Sequence, residues 1–243
     1  MSRCLVGSEM CIRDSSTMVE SLLVQFAPML LGAQLILTLI LVKGDICPGQ
    51  RGRIHKMLPA IGVLWLAVAS LRIEAFLIVF AIFYFYSQVQ TKKTRDSGPI
   101  WVMYLACGLA LSYVAIQASE QVNPVGIIAT VLLVALLGAS FGHLLLTIAR
   151  TRLQAFHRVL PVVGVLSGML VVLATVINVY SLSEAQLEPV ISTLLFSFAL
   201  LISSIVVWCW HLLFVKTPEK LQLTIALLML LASVIGLTPV WAL

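Results

Sequence analysis

Residues 58–90 read LPAIGVLWLAVASLRIEAFLIVFAIFYFYSQVQ, an almost continuous apolar run of 33 residues. As a single helix this run would be about 50 Å long, well beyond a hydrocarbon core of about 30 Å. Arg72 and Glu74 interrupt the run near its middle, where two charges in lipid would be costly. The stretch therefore predicts two membrane-crossing helices joined by a tight hairpin at residues 71–75.

Similar apolar runs fill the rest of the chain. Hydrophobic residues make up 61% of the 243 residues and charged residues only 10%, whereas a soluble domain carries about 25% charged residues. No stretch alternates polar and apolar residues as the strands of a membrane barrel do. The sequence predicts an all-α polytopic transmembrane helix bundle with eight spans: residues 22–42, 57–71, 74–90, 100–118, 124–148, 159–180, 190–215 and 221–241.

The basic residues predict the orientation. With eight spans, four loops lie on one side and hold 12 of the 13 basic residues that follow residue 17. The positive-inside rule makes that side cytoplasmic and both termini external, as in a bacterial inner membrane. A seven-span alternative is less favoured because it places Lys92, Lys93 and Arg95 outside. Orientation accounts for the pI of 9.1, so no nucleic-acid partner is predicted. The four loops are residues 43–56, 91–99, 149–158 and 216–220.

The first residues are unlike the rest. Residues 2–15 read SRCLVGSEMCIRDS, which resembles the translated read-through of a common sequencing adapter. We therefore interpret residues 1–17 as an artefact or non-native tail and residues 18–243 as a single integral membrane domain. The remaining cysteines, Cys47, Cys107 and Cys209, have a spacing that indicates neither a disulfide nor a zinc site.

Two stretches repeat within the chain. Residues 55–64 read HKMLPAIGVL and residues 157–166 read HRVLPVVGVL, and each is preceded by an LLGA tetrapeptide. This pattern predicts a parallel duplication of residues 22–118 and 124–241 about an axis along the membrane normal. The alternative is an ordinary helix start, with proline in the first turn and a base at the membrane edge. The matching positions are His55, Pro59, Gly62, His157, Pro161 and Gly164.

Histidines are the best candidates for chemistry. His143 and His211 lie five and four residues before the inner ends of the fifth and seventh spans, at depths of about 7.5 and 6 Å. Two facing imidazoles could ligate haem or a transition metal. The favoured interpretation is that each imidazole bonds a backbone carbonyl or reaches the lipid headgroups, so no cofactor is predicted, with haem or a metal as the alternative. Trp208 and Trp210 are interpreted as an aromatic belt.

Other polar groups within the spans should face protein or a cavity, because lipid cannot satisfy them. They could line a substrate path or form interhelical hydrogen bonds. No carboxylate lies deep in a span, and no phosphate-binding loop, HExxH or nucleophile elbow is present. An enzyme therefore has no support in the sequence. The polar groups in question are Gln34, Thr38, Tyr113 and Asn178.

These observations favour a non-enzymatic inner-membrane protein, either a small transporter or an accessory or assembly subunit of a membrane complex. A haem- or metal-binding redox protein is the first alternative, and a membrane sensor is the second. The predicted partner is the lipid bilayer, with other membrane subunits or a second copy of the chain as further candidates.

Overall fold

The computed structural model describes residues 3–44, 46–91, 98–150, 154–214 and 217–243. All regular structure in these residues is helical, which confirms the predicted all-α class. Several charged residues of the predicted loops lie outside the described ones: Asp45, Lys92, Lys93, Arg95, Asp96, Arg152 and Lys216. The helices are α1 (Arg3–Lys43), α2 (Pro48–His55), α3 (Leu58–Ala69), α4 (Phe76–Thr91), α5 (Ile100–Ser119), α6 (Pro124–Ile148), α7 (Gln154–Ser181), α8 (Glu184–Leu187), α9 (Ile191–Leu213) and α10 (Lys220–Ala242).

Each predicted span coincides with a helix, but the helices differ in length. Six of them are long and apolar enough to cross a membrane, which makes the chain a multi-pass membrane protein. The hairpin helices are shorter: α3 has 12 residues, a rise of about 18 Å. The count of eight spans therefore stays a prediction. The six are Met18–Lys43, Ile100–Ser119, Pro124–Ile148, Phe156–Ser181, Ile191–Leu212 and Lys220–Ala242.

The predicted hairpin at residues 71–75 is confirmed. After α3 the chain turns at Arg72, which is extended (φ −142°, ψ 122°), and a 3-10 helix at Ile73–Ala75 leads into α4. The Arg72 guanidinium forms a salt bridge with Glu120 just after α5. Both side chains are more than 40% exposed, so this pair stabilises the fold by no more than about 1 kcal/mol. It does place the hairpin beside the end of α5.

A hydrogen bond places two of the four predicted basic loops at the same end of the bundle, as the charges predict. At one end Arg53 Nη1 donates to the Arg150 carbonyl oxygen over 3.2 Å, which joins two of the predicted cytoplasmic loops. At the opposite end Asn123 Nδ2 donates to Asn178 Oδ1 over 2.8 Å. We call the first end the basic end. That it faces the cytoplasm remains a prediction from charge.

The centre of the bundle is the pair α1 and α6. In an 18-residue apolar stretch of each helix, 67% of the residues are buried in α1 and 61% in α6, against 28% in α9. Gly32 and Gly138 allow this contact, since a Cβ atom on Gly32 would lie 2.6 Å from Gly138 Cα. Such an approach between backbones is what small residues in membrane helices permit.

The two halves of the chain have matching helix neighbours. In the first half α1 packs against α3 and α5, and α4 packs against both α3 and α5; in the second half α6, α7, α9 and α10 repeat this pattern. Gly32 and Gly138, which meet across the centre, are the glycines of the two LLGA tetrapeptides. Gly62 faces the ring of Phe83, and Gly164 faces the ring of Trp208.

The repeat motifs nevertheless start their helices differently. Pro59 lies in the first turn of α3, as a proline at a helix start should. Pro161 lies inside α7, because that helix already begins at Gln154. Only the first copy of the motif therefore opens its helix. The duplication itself stays a prediction.

Candidate functional site

Three of the four histidines converge near the basic end of the second half. His143 comes from the last turns of α6, His157 from the first turn of α7, and His211 from the last turn of α9. The ring centroid of His143 lies 5.1 Å from that of His157 and 5.3 Å from that of His211. His143 is fully buried and His211 is 3% exposed. We call these three residues and Trp208 the histidine cluster.

The hydrogen bonds of His143 determine its tautomer. Trp208 Nε1 lies 2.9 Å from His143 Nδ1, and an indole N–H can only donate. His143 Nδ1 is therefore an acceptor, so a neutral His143 carries its proton on Nε2. That nitrogen lies 2.9 Å from His157 Nδ1 and donates to it. The cluster thus contains a directed chain from Trp208 through His143 to His157.

His211 has different surroundings. Its Nδ1 lies 2.8 Å from the Trp208 carbonyl oxygen, and its Nε2 lies 3.5 Å from the His157 carbonyl oxygen. A carbonyl oxygen can only accept, and a neutral imidazole has one N–H to donate. Only the protonated ring could donate to both oxygens. In the cluster, His211 is the imidazole whose neighbours accommodate an added proton.

An added proton on His143 would break a hydrogen bond. On Nδ1 it would place an N–H against the N–H of Trp208, with no acceptor between them. Likewise, a proton on His157 Nδ1 would face the N–H of His143. Donors that face each other in a buried site lose the bond and repel. The cluster is therefore fully bonded only while His143 and His157 are neutral.

The structure brings the predicted pair His143 and His211 together, but the hydrogen bonds of His143 oppose metal ligation. Both ring nitrogens of His143 are engaged by Trp208 and His157. To ligate haem or a metal, His143 would have to release one of these partners. Within the described part of the chain, no group of three or more His, Cys, Asp or Glu residues has the geometry of a metal site. The bis-histidine cofactor site stays a prediction.

The interpretation of Trp208 as part of an aromatic belt is wrong. Trp208 is fully buried, whereas Trp210 is 47% exposed and stands where a belt residue should. Residues two apart on a helix point about 200° away from each other, so the two indoles could not share one face. That spacing was the signal in the sequence that could have separated them.

A second polar cluster lies in the first half. Trp65 Nε1 donates to Gln34 Oε1 over 3.2 Å, and Thr38 Oγ1 lies 3.3 Å from Cys107 Sγ. The ring of Tyr113 packs edge-on against Trp65 at 5.7 Å. Three of the four predicted polar residues therefore lie in one cluster with Trp65 and Cys107, since Thr38 also donates to the Gln34 carbonyl oxygen. The part played by Trp65 was not predicted from the sequence. Tyr113 also lines a recess of about 150 Å³ beside Arg72.

Asn178, the fourth predicted polar residue, bonds neighbouring helices at the end away from the histidine cluster. Its Nδ2 donates to the Val240 carbonyl oxygen over 2.7 Å, and its Oδ1 accepts from Asn123. Close by, Trp241 Nε1 donates to Thr175 Oγ1 over 2.9 Å. These contacts tie α7 to α10, so Asn178 serves interhelical packing in this structure.

His55, the remaining histidine, does not join the cluster. It ends α2, is 3% exposed, and packs edge-on against Phe85 of α4 with the ring centroids 5.6 Å apart. Its Nε2 is buried and has no hydrogen-bond partner. Burial, together with the positive charge of Arg51, lowers the pKa of His55 from 6.5 to about 4.

This lowered pKa predicts a loss of stability in acid. Between pH 6.5 and about 4 the unfolded chain binds a proton at His55 that the folded chain does not. The contribution is therefore complete above pH 6.5 and is lost as the pH falls through that window, up to about 3 kcal/mol. We expect the thermal midpoint in detergent to fall with pH across this window, and to fall less steeply in His55→Gln. Parallel slopes for the two proteins would contradict the prediction.

Comparison with known proteins identifies the family. Residues 4–243 match a family described as an integral membrane domain, and the chain belongs to it. An uncharacterised protein of Haemophilus influenzae is 32% identical over 145 residues. The match covers 53% of this chain and 52% of the relative, so the chain spans about half the length of that protein. No solved structure matches the chain.

Proposed function

We propose that this chain is a small, non-enzymatic transporter of a bacterial inner membrane that moves protons through the histidine cluster. The observation that carries the proposal is the meeting of three imidazoles at one point between α6, α7 and α9, two of them buried (His143 and His211) and one half-buried (His157). Ionisable residues inside a membrane are costly and tend to mark ion pathways. Imidazole is also the side chain that ordinarily changes charge near neutral pH.

The contacts assign a role to each histidine. His211 accepts the proton, because carbonyl oxygens face both of its ring nitrogens. His143 is held by Trp208 as a donor towards His157. His157 lies at the start of α7, at the basic end, and passes the proton on to that side. Movement of a proton from His211 to His157 requires the ring of His143 to leave Trp208 for part of the cycle.

The arrangement of the helices supports a transporter. Two halves with matching neighbours and a close contact between Gly32 and Gly138 fit a parallel duplication, an architecture that transporters use. Each half places a buried tryptophan against a polar side chain, Gln34 in the first and His143 in the second. The bacterial inner membrane is supported by the relative in Haemophilus influenzae.

Proton flux into vesicles tests the proposal. The purified protein would be reconstituted with an encapsulated pH dye, and a potassium diffusion potential would drive protons inward. We expect His211→Gln to lower the flux by about a hundredfold, the usual contribution of a positioned proton-transfer side chain. Trp210→Phe is the matched control on the same helix, because this indole is exposed and outside the cluster. Wild-type flux no faster than that of empty vesicles would overturn the proposal.

An accessory or assembly subunit is the alternative within the same class. It needs no proton movement and predicts a stable complex with another membrane protein. Purification in mild detergent distinguishes the two roles: a stoichiometric partner together with no proton flux would favour the subunit. A homodimer would instead appear as a second copy of this chain.

A haem- or metal-binding redox protein is favoured by one observation, the 5.3 Å separation of the His143 and His211 rings. Its test is an oxidised and reduced absorption spectrum with elemental analysis of the purified protein. A haem band or stoichiometric metal that His143→Ala removes would establish this function. A colourless, metal-free preparation would count against it.

A further inference from the structure

The helix α2 lies at the basic end, outside the spans, and has two different faces. It reads PGQRGRIH and holds Arg51, Arg53 and His55, with Lys56 following it. Arg51 and His55 are four residues apart, so they lie on the same face. His55 is buried and Arg51 is half-buried, whereas Arg53 and Lys56 are exposed. The helix therefore turns one cation and one imidazole towards the protein.

Two polar atoms on this inward face have no partner. Arg51 Nε and His55 Nε2 are both buried from solvent without a hydrogen bond, and they are the only such side-chain atoms among the described residues. A buried donor left unpaired costs about 1–3 kcal/mol, and more when the group is charged. Native structures contain few such atoms, and each calls for an explanation. Two on one helix face indicate a missing acceptor.

The missing acceptor should be an anion. Arg51 is always protonated and only donates. The salt bridge that the described residues form, between Arg72 and Glu120, lies at the opposite end of the bundle. Its carboxylate is therefore not the acceptor for Arg51. A neutral His55 can place its proton on Nε2 and donate as well. One group with several anionic oxygens would satisfy both atoms, and arginine matches phosphate in geometry as well as charge.

We propose that Arg51 and His55 form a binding site for a phosphate-type oxyanion at the basic end of the bundle. The phosphate of an anionic lipid headgroup and free inorganic phosphate share this chemistry. Lysines and arginines at a membrane edge are suited to lipid phosphates. Arg53 of the same helix donates to the Arg150 carbonyl oxygen, which holds α2 against the end of α6. This site is separate from the histidine cluster and does not depend on the proposed transport.

Binding measured with two probes tests the site and identifies the source. One arm adds inorganic phosphate to the detergent-solubilised protein, against chloride at equal ionic strength. The other compares nanodiscs of phosphatidylcholine with nanodiscs that contain phosphatidylglycerol. Thermal unfolding and ³¹P NMR report binding in both arms. Stabilisation by phosphate alone indicates a free anion, and stabilisation by phosphatidylglycerol alone indicates a lipid; either supports the proposal.

Matched variants separate a specific site from general charge attraction. Arg51→Gln and Lys56→Gln each remove one positive charge, but only Arg51 presents a buried unpaired atom. We expect Arg51→Gln to weaken binding about tenfold or more, as the loss of a charge-assisted hydrogen bond does, and Lys56→Gln to weaken it less than about twofold. Equal effects of the two variants would overturn the proposal. If Arg51→Gln fails to fold, absence of binding by the wild-type protein in both arms would overturn it as well.

Discussion

Gly32→Ala is expected to destabilise the protein by roughly 3 kcal/mol or more, the upper range for overpacking a filled interior. The new methyl group would meet the Val134 carbonyl oxygen and lie 2.6 Å from Gly138 Cα. Both are backbone atoms of α6, which cannot rotate away as a side chain can. Alanine favours a helix over glycine by only about 1 kcal/mol. The clash therefore outweighs the gain in helix propensity, so the substitution destabilises the protein. The thermal midpoint in detergent should fall sharply.

Gly108→Ala is the matched control for this effect. Gly108 lies within α5, is exposed on the surface of the bundle, and has no atom within 4 Å of an added Cβ. The same substitution there should leave stability unchanged or raise it by up to about 1 kcal/mol. Gly138→Ala should behave like Gly32→Ala, because the two glycines contact each other. A close approach of α1 and α6 would be refuted by equal midpoints for Gly32→Ala and Gly108→Ala.

The second large effect is expected at His143. His143→Leu removes the acceptor of the Trp208 N–H and the donor to His157 Nδ1. Each broken buried hydrogen bond costs about 1–3 kcal/mol, so the loss of both bonds amounts to about 2–6 kcal/mol. The same variant should abolish proton flux, since the chain to His157 is interrupted. Thermal unfolding and the vesicle assay measure the two consequences separately.

Two conservative variants distinguish the bonds of His143. The amide of His143→Asn reaches about as far as Nδ1 and can keep the bond to Trp208. The amide of His143→Gln reaches about as far as Nε2 and can keep the bond to His157. We expect both variants to be more stable than His143→Leu, and only His143→Gln to retain a polar group next to His157. A leucine variant as stable as the wild type would show that the cluster bonds contribute nothing.

The spans could be predicted because their signals are local. A long apolar run must be helical in lipid, where every backbone polar group needs an internal partner. Arg72 and Glu74 then placed the hairpin that the structure has between α3 and α4. The side of each basic loop was predicted from the number of crossings before it, and for two of the four loops the structure agrees. Arg53 and Arg150 meet as that grouping requires.

The candidate site was predicted only in part. His143 and His211 were expected at similar depths, because depth follows from the rise per residue and the helix end. Neither His157 as the acceptor of His143 nor Trp208 as its donor was anticipated. A helix that is apolar on all sides has no preferred buried face in its sequence. The rotation that turns Trp208 inward and Trp210 outward is set by neighbouring helices, not by composition.

The sequence by itself determined the helical membrane class, the hairpin, and the common end of the bundle at which the loops of Arg53 and Arg150 lie. All of these depend on hydropathy, charge and distance along one helix. Only the tertiary structure decided which helices meet, and therefore which polar atoms are paired. The hydrogen bonds from Trp208 through His143 to His157 join three helices. The Arg51 and His55 atoms are buried without a partner only because α2 packs against the bundle. In an apolar solvent the hydrophobic effect does not select helix faces, so packing and hydrogen bonds make that choice.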